Sequence, residues 1–338
     1  MSKKVIVSIV VILIIVAISL VWRQGMPKQP QKYSGPVEKI TIGFPLRGAE
    51  LELLNFVAED KGYFKDQGLD VLIKDEPDEV ASGKDLKEGR IDVAGFADYS
   101  FALQSFDTQS SKIIATIDKS TFLTIIGRKD KGLTNPSDLK GKKVGVVQKT
   151  VSEYAFHQFL LDHGIPAKDV EIVPVPGANI ISAVTNGEVD AVSAALPVEY
   201  LINKSLKAGT ISWPTLGENP FYWLLTVTQD TLTKRPDLVK RILRALVTSE
   251  DFVRKNPQKA REIVARRYDF TNDYYDFVWP KHNWRVSLDQ SLLLTLENQA
   301  RWIIENKLTD KTQVPNYLNF IYFDGLEKVK PEAITIIR

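Results

Sequence analysis

Apolar residues recur along this chain with two alternating periods. Short runs such as Ile40–Phe44, Leu69–Ile73, Val144–Val147 and Val170–Val175 are mostly β-branched and aliphatic, which predicts strands. Between the first two, Leu51, Leu54, Val57 and Ala58 fall on one side of a helix over about Glu50–Lys61. A matching helix is predicted over about Val151–His163. Gly62 and Gly164 follow them, where a left-handed residue closes a helix at no steric cost. Each strand–helix–strand unit then runs into a similar phrase: Gly89-Arg90-Ile91-Asp92-Val93-Ala94-Gly95 and Gly187-Glu188-Val189-Asp190-Ala191-Val192-Ser193. Strands alternating with such helices read as parallel βαβ units. Two units in tandem predict two α/β lobes with a cleft between them, which suits a ligand-binding clamp.

The apolar runs Phe122–Arg128 and Phe221–Thr228 fit neither repeat and are read as crossings between lobes, the second from Tyr222. Residues 37–128 and 223–338 are then assigned to lobe one, and 129–222 to lobe two. The crossings serve as the hinge. Further along, Leu238, Ile242, Ala245, Leu246, Ser249, Phe252 and Val253 form the inward stripe of a helix. Lys234, Arg235, Lys240, Arg241 and Arg244 are read as lying mostly on its solvated face.

At 44% hydrophobic and 25% charged, the composition is that of an ordinary globular chain, and 338 residues suit two domains of about 100–200 each. A formal charge of +2 gives no case for nucleic acid. Cysteine is absent, so disulfides, thiolate catalysis and a lipidated N-terminal Cys are excluded. Residues 1–36 stand apart. Lys3 and Lys4 precede an unbroken apolar segment, Val5 to Trp22, and Gln24 to Pro36 reads as a tether. Signal cores are about 7–15 residues and a membrane span roughly 17–25, so both a cleaved signal peptide and a transmembrane anchor stay open. Either one carries the remainder out of the cytoplasm, to the periplasm.

Candidate chemistry follows from strand ends, because ligands of open α/β sheets collect outside the carboxyl ends of the strands. Leu46 follows the first strand; Asp98 and Tyr99 follow Ile91–Gly95; Ser120 and Thr121 stand where the chain leaves the first lobe. In lobe two, Thr150-Val151-Ser152-Glu153 fits a capping box, whose helix start also offers N–H donors to ligand oxygens. Asn179 is read as a second helix cap, Leu196 follows a strand, and Trp223 shares a face with Phe221. Asp98 is the carboxylate best placed to receive a ligand donor. Arg47 is assigned to a surface ion pair with Glu50 or Glu52, and Glu199 to a solvated first turn. No Gly-x-Ser-x-Gly elbow, phosphate loop or Gly-x-Gly-x-x-Gly is present, and His157, His163 and His282 lack metal-ligand spacing. An enzyme is not expected, nor a cofactor.

The phrases in order resemble a known family. Lys39-Ile40-Thr41-Ile42-Gly43, Ala58 to Val71 (AEDKGYFKDQGLDV), Leu86 to Val93 (LKEGRIDV), Leu139 to Val146 (LKGKKVGV), Arg235-Pro236-Asp237-Leu238-Val239 and Phe323-Asp324-Gly325-Leu326 are similar to the substrate-binding proteins of nitrate/sulfonate/taurine ABC importers, the NMT1/THI5-like family. The resemblance implies a type II periplasmic-binding fold, a Venus flytrap closing on a small-molecule ligand. It implies delivery to an ABC permease and its ATPase subunits, and a monomer. A membrane-anchored sensing module is the rival. Sulfonate and taurine binders often carry an aromatic and an acidic residue where this chain has Ala194-Ala195-Leu196-Pro197, so an amine anchor is not carried over. A fungal pyrimidine-synthesising enzyme shares the fold, but its cysteine-rich motif has no counterpart here.

Overall fold

The short apolar runs form strands that gather into two separate sheets. The computed structural model describes residues 32–45, 50–107, 110–215, 220–267 and 270–338. Val5 to Trp22, most of the tether, Leu46 and Arg47 lie outside the described residues. Among the described residues no helix is long and apolar enough to cross a membrane. Gly35–Arg338 forms one compact unit.

Among the described residues, eleven strands follow in chain order: β1 (Glu38–Phe44), β2 (Leu69–Asp75), β3 (Val93–Ala97), β4 (Ser111–Ser120), β5 (Leu123–Arg128), β6 (Lys143–Val146), β7 (Glu171–Pro174), β8 (Ala191–Ala195), β9 (Thr210–Pro214), β10 (Phe221–Thr228) and β11 (His282–Asn283). The first sheet runs β11-β4-β10-β3-β1-β2 and the second β7-β6-β8-β5-β9. In the first, β2 and β3 lie parallel to β1, while β10 is antiparallel to β3 and β4. In the second, β7 and β8 lie parallel to β6, while β5 is antiparallel to β8 and β9. Reading β1 as β6, β2 as β7, β3 as β8, β10 as β5 and β4 as β9, order and direction coincide. The two lobes are built alike.

The twin phrases have a physical basis. Gly89 and Gly187 adopt φ of +71° and +78°, a region an L side chain rarely enters. The acid three residues later turns back onto the neighbouring parallel strand. Asp92 Oδ2 accepts the Thr41 N–H at 2.7 Å, and Asp190 Oδ2 accepts the Lys143 N–H at 2.9 Å. Each carboxylate satisfies a backbone donor beside the start of its ladder, where a bare N–H would be left over.

Two sequence expectations are corrected. The strands expected to cross between lobes lie inside the sheets: β5 pairs on both edges within the second, and β10 on both edges within the first. Runs buried on both faces are apolar throughout, so they carry no period that tells an interior strand from a crossing. The first connection shortens to Thr121–Phe122, and the second falls between the end of β9 at Pro214 and the start of β10 at Phe221. The basic face of the helix Pro236–Lys255 is also not all solvated. Arg241 is 6% exposed, and its guanidinium meets the Glu38 carboxylate and the Gly68 carbonyl. Arg235 joins Glu38 to Asp92. Basic residues therefore fasten this late helix to the first strand.

Helices cover both faces of each sheet. In the second lobe, successive residues of β5 point opposite ways: Ile125 packs with Phe156 and Phe159 of the helix Val151–Asp162, while Ile126 packs with Ile180, Val184 and Ile202. The first lobe holds the largest apolar cluster, and it takes in the stripe Leu238, Ile242, Ala245, Leu246 and Val253. Arg241→Ala is expected to destabilise the fold by about 1–3 kcal/mol, since it removes a buried guanidinium's bonds to the half-buried Glu38 carboxylate and the Gly68 carbonyl, while Arg235 stays on Glu38. Lys234→Ala, which removes an exposed i,i+4 pair to Asp230, is expected to cost less than about 0.5 kcal/mol. Urea midpoints of the two variants check the contrast.

Candidate functional site

A cavity of about 460 Å³ opens where the parallel strands of both lobes end. From the first lobe Pro45 follows β1, Pro77 and Glu79 follow β2, and Tyr99 and Ser100 begin the helix after β3. Lys149, Thr150 and Val151 come from the second lobe, at the start of the helix after β6. Phe122, from one crossing, and Phe221, the first residue of β10, stack at 5.0 Å and 29°, and Trp223 lies beyond Phe221 at 6.4 Å and 24°. The wall nearest the hinge is therefore a stack of three aromatic rings.

Carboxylates pack close to this apolar wall. Glu52 is fully buried; Oε1 accepts the Trp223 indole N–H at 2.5 Å and Oε2 accepts the Asn55 amide. Burial pushes its pKa up to about 7 against the two hydrogen bonds. The pair needs Gly95, because a Cβ there would stand 2.4 Å from Glu52 Oε1 and 3.1 Å from Trp223 Nε1. Glu79 is half-buried as a residue, but its Oε2 is buried and has no partner, and burial raises this carboxyl to about 7 as well. The Tyr99 hydroxyl is likewise buried and unpartnered, and Tyr99 stacks on Tyr154 of the second lobe at 5.8 Å. Two residues of the cavity lining thus each carry a buried polar atom without a partner, where such atoms are ordinarily paired.

The residues singled out from the sequence divide. Tyr99, Thr150, Val151 and Trp223 line this cavity together. Ser120 and Thr121 line a second, smaller one. Asp98 is fully buried away from both: Oδ1 accepts the Tyr99 N–H at 2.6 Å and Oδ2 the Tyr222 N–H at 3.0 Å. Burial raises its pKa to about 6. It ties strand to helix and is no cavity carboxylate. Leu196 is fully buried, its N–H bonded to the Phe122 carbonyl at 2.9 Å. Asn179 is exposed and makes no side-chain cap, because it sits inside a 3₁₀ turn with helical backbone. Ser152 is half-buried and lines neither cavity; its carbonyl accepts from Ser193.

The capping box is shifted by one residue. The Thr150 hydroxyl accepts the Ser152 N–H and donates to the Val147 carbonyl, while Glu153 takes the Lys149 N–H. Glu50, Glu52 and Glu199 are corrected from surface to interior. Glu50 accepts from Tyr274, and Glu199 from Thr124 and Lys281. The Pro77–Glu79 turn, Phe122 and Lys149 were missed, although strand-end position marks the first and last of these as well. Among the described residues no cluster of His and carboxylates could hold a metal ion.

Two α/β lobes of matching topology around a cavity at their facing strand ends define a two-lobed binding-protein fold. The NMT1/THI5-like family model matches residues 54–260, more than half of this chain, and the chain belongs to that family. A protein of Brucella abortus (strain 2308), named only in general terms as a binding protein, is 24% identical over 224 residues; the match spans 62% of this chain and 66% of that protein, just under two thirds. The 4-amino-5-hydroxymethyl-2-methylpyrimidine phosphate synthase THI13 of Saccharomyces cerevisiae is 25% identical over 252 residues, 70% of this chain and 73% of its own length. The crystal structure of the periplasmic aliphatic sulphonate binding protein SsuA from Escherichia coli superposes with a TM-score of 0.71 at 15% identity, covering 86% of this chain and 98% of that one. The fold is shared with it.

Raised carboxyl pKa values make stability depend on pH in one direction. Glu52 and Glu79 at about 7, and Asp98 at about 6, hold protons in the folded chain that the unfolded chain has released. Between about pH 5 and 7 stability should fall as pH rises, since the folded state binds more protons there. The urea midpoint is expected to be higher at pH 5.5 than at pH 7.5. Glu52→Gln and Asp98→Asn should flatten this slope; an unchanged slope in both variants removes these carboxyls as its source.

Proposed function

We propose that this chain is an extracytoplasmic solute-binding protein that captures a small organic molecule in its interlobe cavity and delivers it to an ABC permease with its ATPase subunits. The cavity carries the reading. It lies between two separately folded sheets joined by two short connections, the arrangement in which hinge closure buries a ligand. Thr121–Phe122 and the connection from β9 to β10 are the proposed hinge. Val5 to Trp22 is the proposed means of export, as an anchor in the inner membrane or as a cleaved signal.

The lining favours a particular kind of ligand. Phe122, Phe221 and Trp223 offer a flat face to a planar ring, and aromatic walls are common in small-molecule pockets. Glu79 Oε2 can accept from a ligand N–H or O–H, and the Tyr99 hydroxyl can donate to it. On the facing lobe, Lys149 and the first turn of the helix Val151–Asp162 present positive charge and backbone donors to an anionic end. A pyrimidine, an aromatic acid or an aryl sulfonate meets all three requirements; bare nitrate leaves the aromatic wall unused.

The yeast relative gives one observation in favour of catalysis. Against it, no His lines the cavity among the described residues, and the chain has no cysteine from which the fungal motif could be built. Mass spectrometry separates the two readings: a binding protein returns its ligand unchanged after prolonged incubation.

Thermal unfolding of Gly35–Arg338 against nitrate, bicarbonate, sulfonates, pyrimidines, flavins and aromatic acids tests the proposal, because a ligand of the folded state raises its apparent stability. A saturable rise is expected with an aromatic member of the panel. Tyr99→Phe, which removes only the hydroxyl, should weaken that ligand about tenfold. Failure of every compound to shift the midpoint would leave the importer reading without support.

A further inference from the structure

Three rings form the cavity wall nearest the hinge, and among them only the Trp223 indole carries a polar group, its N–H. Stacking beside Phe221 at 6.4 Å and 24° constrains the plane of that indole. It does not decide which edge of the ring faces the cavity. The second side-chain torsion of Trp is broad and roughly two-fold, so a half-turn keeps the plane and exchanges the edges. A further contact must hold the N–H where it is.

Glu52 supplies that contact from beneath the wall. It precedes the helix Leu53–Asp60, is fully buried and is not part of the lining, although its neighbour Leu51 is. Its Oε1 accepts the indole N–H at 2.5 Å. Its Oε2 accepts the Asn55 amide, also at 2.5 Å, which braces the carboxyl from the other side. The sheet leaves a recess for it. In the ladder of β10 with β3, Trp223 stands opposite Ala97 and Leu225 opposite Gly95, so all four share one face. Gly95 and Ala97 are small, and a Cβ on Gly95 would stand 2.4 Å from Glu52 Oε1 and 3.0 Å from the Phe44 Cβ. Recess, acceptor and brace converge on one indole hydrogen.

We propose, resting on the binding reading above, that Glu52 is a positioning residue for ligand selection: by holding the Trp223 N–H inward, it keeps the wall of Phe122, Phe221 and Trp223 free of donors. A wall without donors receives the face of a planar ring. A turned indole would offer its N–H to the cavity, a feature that suits a bare oxyanion. Glu52 thereby sets a preference for a ring over a small hydrated anion while touching neither.

Protonation of Glu52 does not undo this hold. Burial raises its pKa to about 7, so acid and carboxylate are both present near neutrality. The carboxylate accepts through either oxygen, and the acid accepts through its carbonyl. Gln has the shape of the acid, and Asn55 Oδ1, buried and without a partner, can turn to accept the new amide. Leu fills a similar volume and has no acceptor.

The test compares Glu52→Gln with Glu52→Leu in the purified protein, by titration with benzoate, benzenesulfonate and uracil as ring probes and nitrate as a probe without a ring. Glu52→Leu should weaken the ring probes that bind the native chain about tenfold, while Glu52→Gln stays within about twofold of it. In a Trp223→Phe background, where no indole N–H remains to be held, Glu52→Leu should cause no further loss. Equal losses in the Gln and Leu variants, or a Leu loss that persists beside Trp223→Phe, would assign Glu52 to general packing and overturn the proposal. A readout without ligand is the indole N–H resonance of Trp223, identified by its absence in Trp223→Phe. It should move in Glu52→Leu and hold its place in Glu52→Gln; an unmoved resonance in the Leu variant overturns the positioning. Should Glu52→Leu fail to fold, Gly95→Ala displaces the carboxylate while leaving Glu52 in the chain, and the same loss of ring binding is expected. If no ring probe binds the native protein, the importer reading loses its support, and the resonance alone decides the role of Glu52.

Discussion

The first lobe depends on a strand that arrives late. The chain leaves the second sheet after β9 and returns as β10, which inserts between β3 and β4, strands far from it in sequence. Asp98 fixes the point of entry. One oxygen of its carboxylate holds the N–H of Tyr99 at the start of the helix after β3, and the other holds the N–H of Tyr222, the second residue of the returning strand. That contact sets where β10 begins, and the pleat does the rest. Tyr222 turns to one face, where its hydroxyl meets Ser291, while Phe221 and Trp223 turn to the cavity. A strand displaced by one residue would exchange these faces and leave the cavity without its aromatic wall.

Placing an indole at that position creates an electrostatic demand beneath it. The buried Trp223 N–H needs an acceptor, and Glu52 supplies one from the segment after β1. Glu52 is then too deeply buried to ionise readily: burial raises its pKa, and the hydrogen bond from Trp223 offsets this only in part. Gly95 completes the arrangement by leaving room for the carboxylate. The final glycine of the phrase Gly89 to Gly95 is thus a packing requirement, whereas the first is a backbone one. Sequence reading can note both glycines, but it cannot separate the two causes.

The parts of the fold that were legible are those set by local periodicity. The parallel units, their closing glycines and the stripe of the helix Pro236–Lys255 follow from spacing alone. What was not legible depends on partners distant in sequence. Arg241 reads as a surface cation until Glu38, 203 residues away, is brought against it. Glu50, Glu52 and Glu199 read as solvated for the same reason, since Tyr274, Trp223 and Lys281 bury them only in the folded chain. In the candidate site, strand-end position led to Tyr99, Thr150 and Val151, and alternation with Phe221 to Trp223, all of which line the cavity. It failed for Asp98, because the same position that could face a ligand also faces the incoming strand. Nothing at Asp98 itself distinguishes the two.

The equivalence of the lobes bears on recognition through its exception. Matching strand orders bring matching strand ends to the cavity, yet the residues placed there differ in kind. The first lobe contributes aromatic rings from β10, the Tyr99 hydroxyl and the Glu79 carboxyl; the second contributes a helix start with Lys149 beside it. A symmetric clamp around such unlike surfaces favours an asymmetric ligand, with a ring and donor on one side and a negative group on the other. Under the proposed function, closure adds the second lobe's charge to a ligand already seated on the first. Under the proposed reading, the aromatic wall and carboxyl of lobe one select the molecule, and the helix start of lobe two reports that it has been bound.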